Sequence, residues 1–175
     1  MKKILLLLGV LLLITGCSLR ANQKEENKLY KLDGYGSFSI SENYMIREDH
    51  STKTKLFFVD KKDEHSSRPN NISTNGGKNY YAKGEVLRFK DAITYQMTNQ
   101  AKAYKAQLNG SGSKTDQGYD VLTFIMTTST EKTVQYYIVG DYKYFLVHAT
   151  IFDSKEEDSV IEAAEYIVNS FTWEE

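Results

Sequence analysis

Three histidines and a single cysteine are the side chains here best suited to metal binding, proton transfer or nucleophilic attack. His50 follows Asp49, and His65 follows Asp63-Glu64. Imidazole beside carboxylate is a donor set that takes a divalent metal. Neither cluster has the ligand spacing of a zinc motif. The segment Asp-Lys-Lys-Asp-Glu-His at residues 60–65 carries five charges in six residues and reads as a solvated loop. No metal ligand and no cofactor is assigned. The sequence holds no H-E-x-x-H, no G-x-S-x-G, no EF-hand pattern and no Ser-x-x-Lys set with partners. Gly-Ser-Gly-Ser-Lys at 110–114 lacks the spacing of a phosphate-binding loop and follows a helical pattern rather than a strand. A metal-dependent hydrolase would need His50, His65 or His148 to converge with carboxylates. The expectation is a protein without catalytic residues.

Cys17 has a different context. Lys2 and Lys3 precede an apolar run, Ile4 to Ile14, interrupted only by Gly9. Eleven residues fall short of the roughly 20 that span a bilayer as a helix. A basic start, a short apolar centre and small residues behind it form a secretory signal. Ile14-Thr15-Gly16-Cys17 resembles the bacterial lipobox, in which cleavage between Gly16 and Cys17 leaves a diacylglyceryl cysteine as the mature N-terminus. Two acyl chains suffice for stable anchoring, at about 0.8 kcal/mol per buried CH₂. The resemblance implies residues 1–16 as signal peptide and Cys17 as the lipidation site. It also implies a location on the outer face of a bacterial cell membrane. Cys17 would then be consumed by the lipid, leaving no thiol for a disulfide or a metal.

Removing 16 of 175 residues leaves 159, enough for one domain. The 22 basic residues fall to 20 without Lys2 and Lys3, against 23 acidic, so the net charge is near −3. That balance gives no hold on a nucleic-acid backbone. Abundant Lys, Asn and Tyr point to a low-GC Gram-positive source. Residues 17–33 are polar and aperiodic at their start and read as a flexible tether with an end-to-end distance of roughly 20 Å. Residues 34–175 form the domain.

Within it, Phe38 and Ile40 alternate in one strand, a second short strand follows Asn43-Tyr44, and residues 54–60 form a third. Residues 65–81 are turn-rich and read as a loop with a short strand at 71–74. Phe89, Ile93, Met97, Ala101, Tyr104 and Leu108 make one apolar helical stripe, ended by a loop in which Gly110 caps the helix. Residues 119–128 read as a strand apolar on both faces, and 132–152 as a long hairpin turning at Gly140-Asp141. Ser154 to Glu157 reads as a capping box for a last helix whose inner face is Val160, Ile161, Ala164, Ile167, Val168 and Phe171. Strands, helix, antiparallel strands, helix: the order defines an α+β domain with an antiparallel sheet and two main helices.

Phe38-Ser39-Ile40 with Tyr44, followed by the long meander and a final helix closing on Ser170-Phe171, resembles the PsbP-like domains. That family contains a photosystem II accessory protein, a Ran-binding Mog-type protein and bacterial lipoproteins. Ser41 stands where the family commonly has proline. The resemblance implies a binding or accessory module and carries over no functional residues.

The hairpin supplies the candidate binding face. Alternation puts Phe145, Val147, Ala149 and Ile151 on one side of their strand and Tyr142, Tyr144, Leu146 and His148 on the other. In the partner strand Val134, Tyr136 and Ile138 share one side, and Gln135, Tyr137 and Val139 the opposite one. Tyr142, Tyr144 and His148, with Tyr136 or Tyr137 beside them, form either an open aromatic binding surface or a second buried face. The sequence leaves both open. An unidentified protein partner is the expected occupant. Two binding roles fit: an accessory lipoprotein, or an immunity or inhibitor lipoprotein whose acidic, tyrosine-rich surface plugs an exported toxin or hydrolase.

Overall fold

The computed structural model describes residues 26–175. The signal segment, the lipobox and Cys17 lie outside the described residues. The elements are β1 (Asn27–Leu32), β2 (Gly36–Ser41), β3 (Tyr44–Ile46), β4 (Lys55–Asp60), β5 (Asn71–Lys78), α1 (Val86–Tyr104), β6 (Gln107–Lys114), β7 (Asp120–Thr127), β8 (Lys132–Val139), β9 (Lys143–Ile151), α2 (Glu157–Ser170) and β10 (Thr172–Trp173). Seven strands form the main antiparallel sheet in the order β3-β4-β5-β9-β8-β7-β6, and β1-β2-β10 form a small one. The fold is α+β, as the element order predicts.

Both faces of the main sheet carry a buried core. Its inner face carries Phe58, Ile72, Val134, Tyr136, Ile138, Phe145, Val147 and Ala149, which pack with Phe38 and Ile40 of the small sheet and with Val160, Ala164, Ile167 and Val168 of α2. The outer face carries Leu122, Phe124, Tyr137 and Val139 beneath Phe89, Ile93 and Met97 of α1. The period-two alternation of β8 and β9 therefore divides two cores rather than a core from solvent. Phe171, fully buried where α2 ends, stacks on Phe145 with ring centroids 4.2 Å apart and meets Trp173 edge-on at 4.8 Å. Phe38 reaches Phe58 and Phe145 at 6.0 and 5.4 Å. One aromatic cluster thus joins both sheets and α2.

Several local expectations are corrected. The tether assigned to residues 17–33 gives way at Asn27, because β1 pairs antiparallel with β2 from Asn27↔Ser41 to Leu32↔Gly36 and buries Leu32. The helix ends at Tyr104, not near Gly110. Lys105 takes the left-handed conformation at φ 53°, and its N–H bonds to Ala101 O and Lys102 O. Leu108 and the Gly-Ser run behind it form β6, paired along its whole length with β7. The supposed loop after residue 65 contains β5, an eight-residue strand between β4 and β9. Its Gly76 and Gly77 read as turn residues because no side chain marks them. They are flat so that rings can lie on them: a Cβ at Gly76 would stand 2.3 Å from the Tyr35 ring, and one at Gly77 would stand 2.3 Å from the Tyr144 ring. A 3-10 turn, Ser154–Glu156, precedes α2, and its cap is Asp153, whose carboxylate accepts from Lys155 N–H at 3.0 Å, rather than Ser154.

Asn70 locks the far end of the hairpin to the β4–β5 connection. Its buried Oδ1 accepts from Phe152 N–H at 2.7 Å and Asp153 N–H at 2.9 Å, while its amide donates to Asp153 O at 3.0 Å. The packing of Phe171 yields a quantitative expectation. Phe171→Ala removes the ring that joins three elements and leaves a void that neighbours from two sheets cannot fill together. Urea unfolding of the variant should show a loss of about 3–5 kcal/mol. A loss below about 1 kcal/mol would mean that the layers are held together elsewhere.

Candidate functional site

The five residues of the candidate face separate in the structure. Tyr136 points to the inner face, where its hydroxyl donates to Glu165 Oε1 of α2 at 3.3 Å. Burial first, and the Glu165 carboxylate second, push its phenol well above the usual tyrosine range. Tyr142 is not in the strand. It occupies the β8–β9 turn in a left-handed conformation, φ 54°, held by its N–H on Tyr81 O and by its carbonyl, which accepts from Asn79 N–H. It is 55% exposed. Gly140 and Asp141 lie in the turn as expected, with Gly140 N–H donating to Lys143 O at 2.8 Å, and a Cβ at Gly140 would lie 2.7 Å from the Trp173 indole.

Tyr137, Tyr144 and His148 do share one face, but it is the face that α1 covers. The Tyr137 and Tyr144 rings are 5.5 Å apart, and Phe89 of α1 stacks on Tyr144 at 5.8 Å and meets Tyr137 at 6.2 Å. Burial, with Tyr144 beside it, raises the Tyr137 phenol to about 12. Its hydroxyl finds a partner in Gln135 Oε1 at 3.0 Å. These tyrosines are a second core. Of the two alternatives left open by the alternation, the buried face holds for Tyr136 and Tyr137, since helices lie over both sides of β8.

The covering is incomplete, and its gaps are the candidate sites. Helix α1 meets β6 and β7 and packs its apolar side chains on β7 and β8, with two recesses left beside it. On the β9 side is a cavity of about 160 Å³ between Gln100 and Tyr104 of α1 and Thr133, Gln135 and His148 of the sheet. His148 Nε2 and Thr133 Oγ1 are buried and have no hydrogen-bond partner among the described residues. Buried polar atoms are nearly always paired, so this recess has capacity for a small hydrogen-bonding molecule, water included. Burial, and to a lesser degree the Lys55 charge, lower the His148 imidazole to about 4. At neutral pH it is uncharged, with one N–H and one lone pair to offer, and cannot hold an anion by charge. On the other side, a recess of about 300 Å³ separates α1 from β6.

The other two histidines stand elsewhere. His50 lies in a 3-10 turn after β3, against Phe57 at 5.1 Å and beside Asp49 at 3.4 Å. His65 is exposed in the loop after β4. Among the described residues, no group of three or more His, Cys, Asp or Glu side chains is placed so that it could hold a metal ion. None of the described helices is long and apolar enough to cross a membrane. Of the features that matter, the α1–β6 recess was missed, because β6 was taken for a loop. Its one signal in the sequence is Leu108, which extends the apolar stripe past the point where the helix stops.

The architecture is that of PsbP-like and Mog1-like proteins. The solution structure of cyanobacterial PsbP (CyanoP) from Synechocystis sp. PCC 6803 superposes with a TM-score of 0.51 at 15% identity, covering 86% of this chain and 94% of that one. The Ran-binding protein Mog1p of Saccharomyces cerevisiae superposes with a TM-score of 0.54 at 12% identity, covering 85% and 95%. No protein-family model and no curated protein sequence matches the chain.

The neutral buried histidine has a consequence for acid stability. Its pKa is depressed in the folded state, so the unfolded chain binds the proton more tightly. The contribution is complete above the unfolded value near 6.5 and is lost as pH falls from there through about 4. Unfolding measured from pH 7.5 to pH 5 should show wild type losing about 2 kcal/mol more than His148→Gln. Parallel curves for the two proteins would show that the imidazole is not held neutral.

Proposed function

We propose that the chain is a non-catalytic binding or accessory lipoprotein, held on the outer face of the cell membrane by a diacylglyceryl group on Cys17. One observation carries the binding reading. The chain matches nearly the whole length of the Ran-binding protein Mog1p and of cyanobacterial PsbP. In each case the match leaves little of the other chain beyond the shared fold. The anchor rests on Ile14-Thr15-Gly16-Cys17 behind a basic, short apolar leader. Because β1 begins at Asn27, ten positions after Cys17, the chain between lipid and first strand spans at most about 35 Å. A partner in this reading meets the domain close to the membrane surface.

The test is fractionation with acyl labelling. Wild-type protein should incorporate labelled palmitate and sediment with membranes. Cys17→Ala should lose the label and either enter the soluble fraction or persist as unprocessed precursor. A Cys17→Ala protein that is still cleaved, labelled and membrane-bound would overturn the anchor.

A further inference from the structure

The recess between α1 and β6 combines three features. First, β6 is the outer strand of the main sheet: among the described residues it pairs only with β7, so one row of its backbone N–H and C=O groups has no sheet partner over eight residues. Uncovered edges are usually blunted by inward charges, proline or bulges. This one has none of these before Lys114, which is itself engaged with Asp120 at 2.7 Å. Second, the edge borders a hollow of about 300 Å³ with an apolar floor: Leu122 and Phe124 below, Leu108 and Gly110 at the strand, Thr94 and Lys90 on α1. Gly110 adds no side chain to the hollow, and the Phe124 ring lies in ordinary contact range of where a Cβ would stand, at 3.4 Å. Third, Lys90 at the rim is exposed and makes no ion pair among the described residues.

An edge strand beside a helix-walled apolar hollow is the geometry of strand addition. Main-chain hydrogen bonds supply affinity, and alternate side chains entering a pocket supply specificity. We propose that the α1–β6 groove takes an extended segment of a partner protein as an eighth strand, with an apolar side chain in the hollow and an acidic side chain two residues away at Lys90. The period of two puts both of those side chains on the α1 side of the added strand. A second copy of this chain suits the groove less well. Its own β6 would present Leu108, Gly110, Gly112 and Lys114 on that face and has no acidic side chain to meet Lys90. This inference rests on the binding-module reading and names the partner's chemistry.

The experiment pans a phage-displayed random dodecapeptide library on the full-length protein in detergent micelles. Enriched peptides should alternate apolar and polar residues, with Asp or Glu two positions from an apolar residue. Thr94→Trp fills the hollow from an exposed helix position and should weaken binding of those peptides more than tenfold. Lys90→Glu should shift the selection toward Lys or Arg at the acidic position. Thermal melts check that both variants fold, and the charge swap remains decisive if the tryptophan variant does not. The proposal is overturned if no alternating consensus emerges or if the peptides bind Thr94→Trp undiminished. It is also overturned if wild type sediments as a dimer that Thr94→Trp dissociates, which would give the groove to a second copy. Loss of the anchor in Cys17→Ala would leave peptide binding intact, so the two readings fail separately.

Discussion

The stacked pair Phe145–Phe171 is the contact on which the layered arrangement depends. Phe145 belongs to the centre of the main sheet, and Phe171 is the residue at which α2 stops and turns extended. Because the ring of Phe171 is fixed on Phe145, the chain leaving the helix is aimed along β2, where Thr172 and Trp173 become the third strand of the small sheet. Ser170 reinforces the turn by accepting from Ser39 N–H at 2.9 Å. The small sheet then cannot slide over the large one without unstacking the aromatic cluster. Position, not only stability, follows from that contact.

With one face sealed by α2 and the small sheet, the outer face decides what the molecule can meet. A single helix of 19 residues cannot cover seven strands. It packs toward the β6 end of the sheet, on β7 and β8, and leaves recesses beside it. The flank toward β9 is polar and keeps a neutral histidine. The flank toward β6 is apolar and ends at an open strand edge. Two recesses of opposite chemistry are thus the geometric remainder of one packing choice.

How much of this the sequence disclosed follows from what side-chain patterns can carry. The alternation in β8 and β9 and the inner faces of both helices were legible, since Val134, Tyr136, Ile138, Phe145, Val147, Val160 and Ile167 sit where the periods put them. Strands that depend on backbone pairing alone were not. β6 is nearly all exposed and its Gly-Ser composition imitates a loop, while β1 carries Lys28 and Lys31 and imitates a tether. Tyr142 was misplaced for another reason: counting by twos from Tyr144 assumes that the strand continues, and the turn had already begun. The face of Tyr137 and Tyr144 was assigned as a set but not as a buried one, because periodicity reports which residues lie together and is silent about what lies on top of them.

The consecutive glycines of β5 carry a consequence for substitution. Gly76 lies under Tyr35 on one side of the sheet and Gly77 under Tyr144 on the other. Volume at each of these places is therefore shared between two positions distant in the chain. A side chain gained at 76 would have to displace the ring of Tyr35, and one gained at 77 the outer end of Tyr144. The two pairings tie residue 35 to residue 76 and residue 77 to residue 144, so side-chain size is settled jointly at places far apart along the chain.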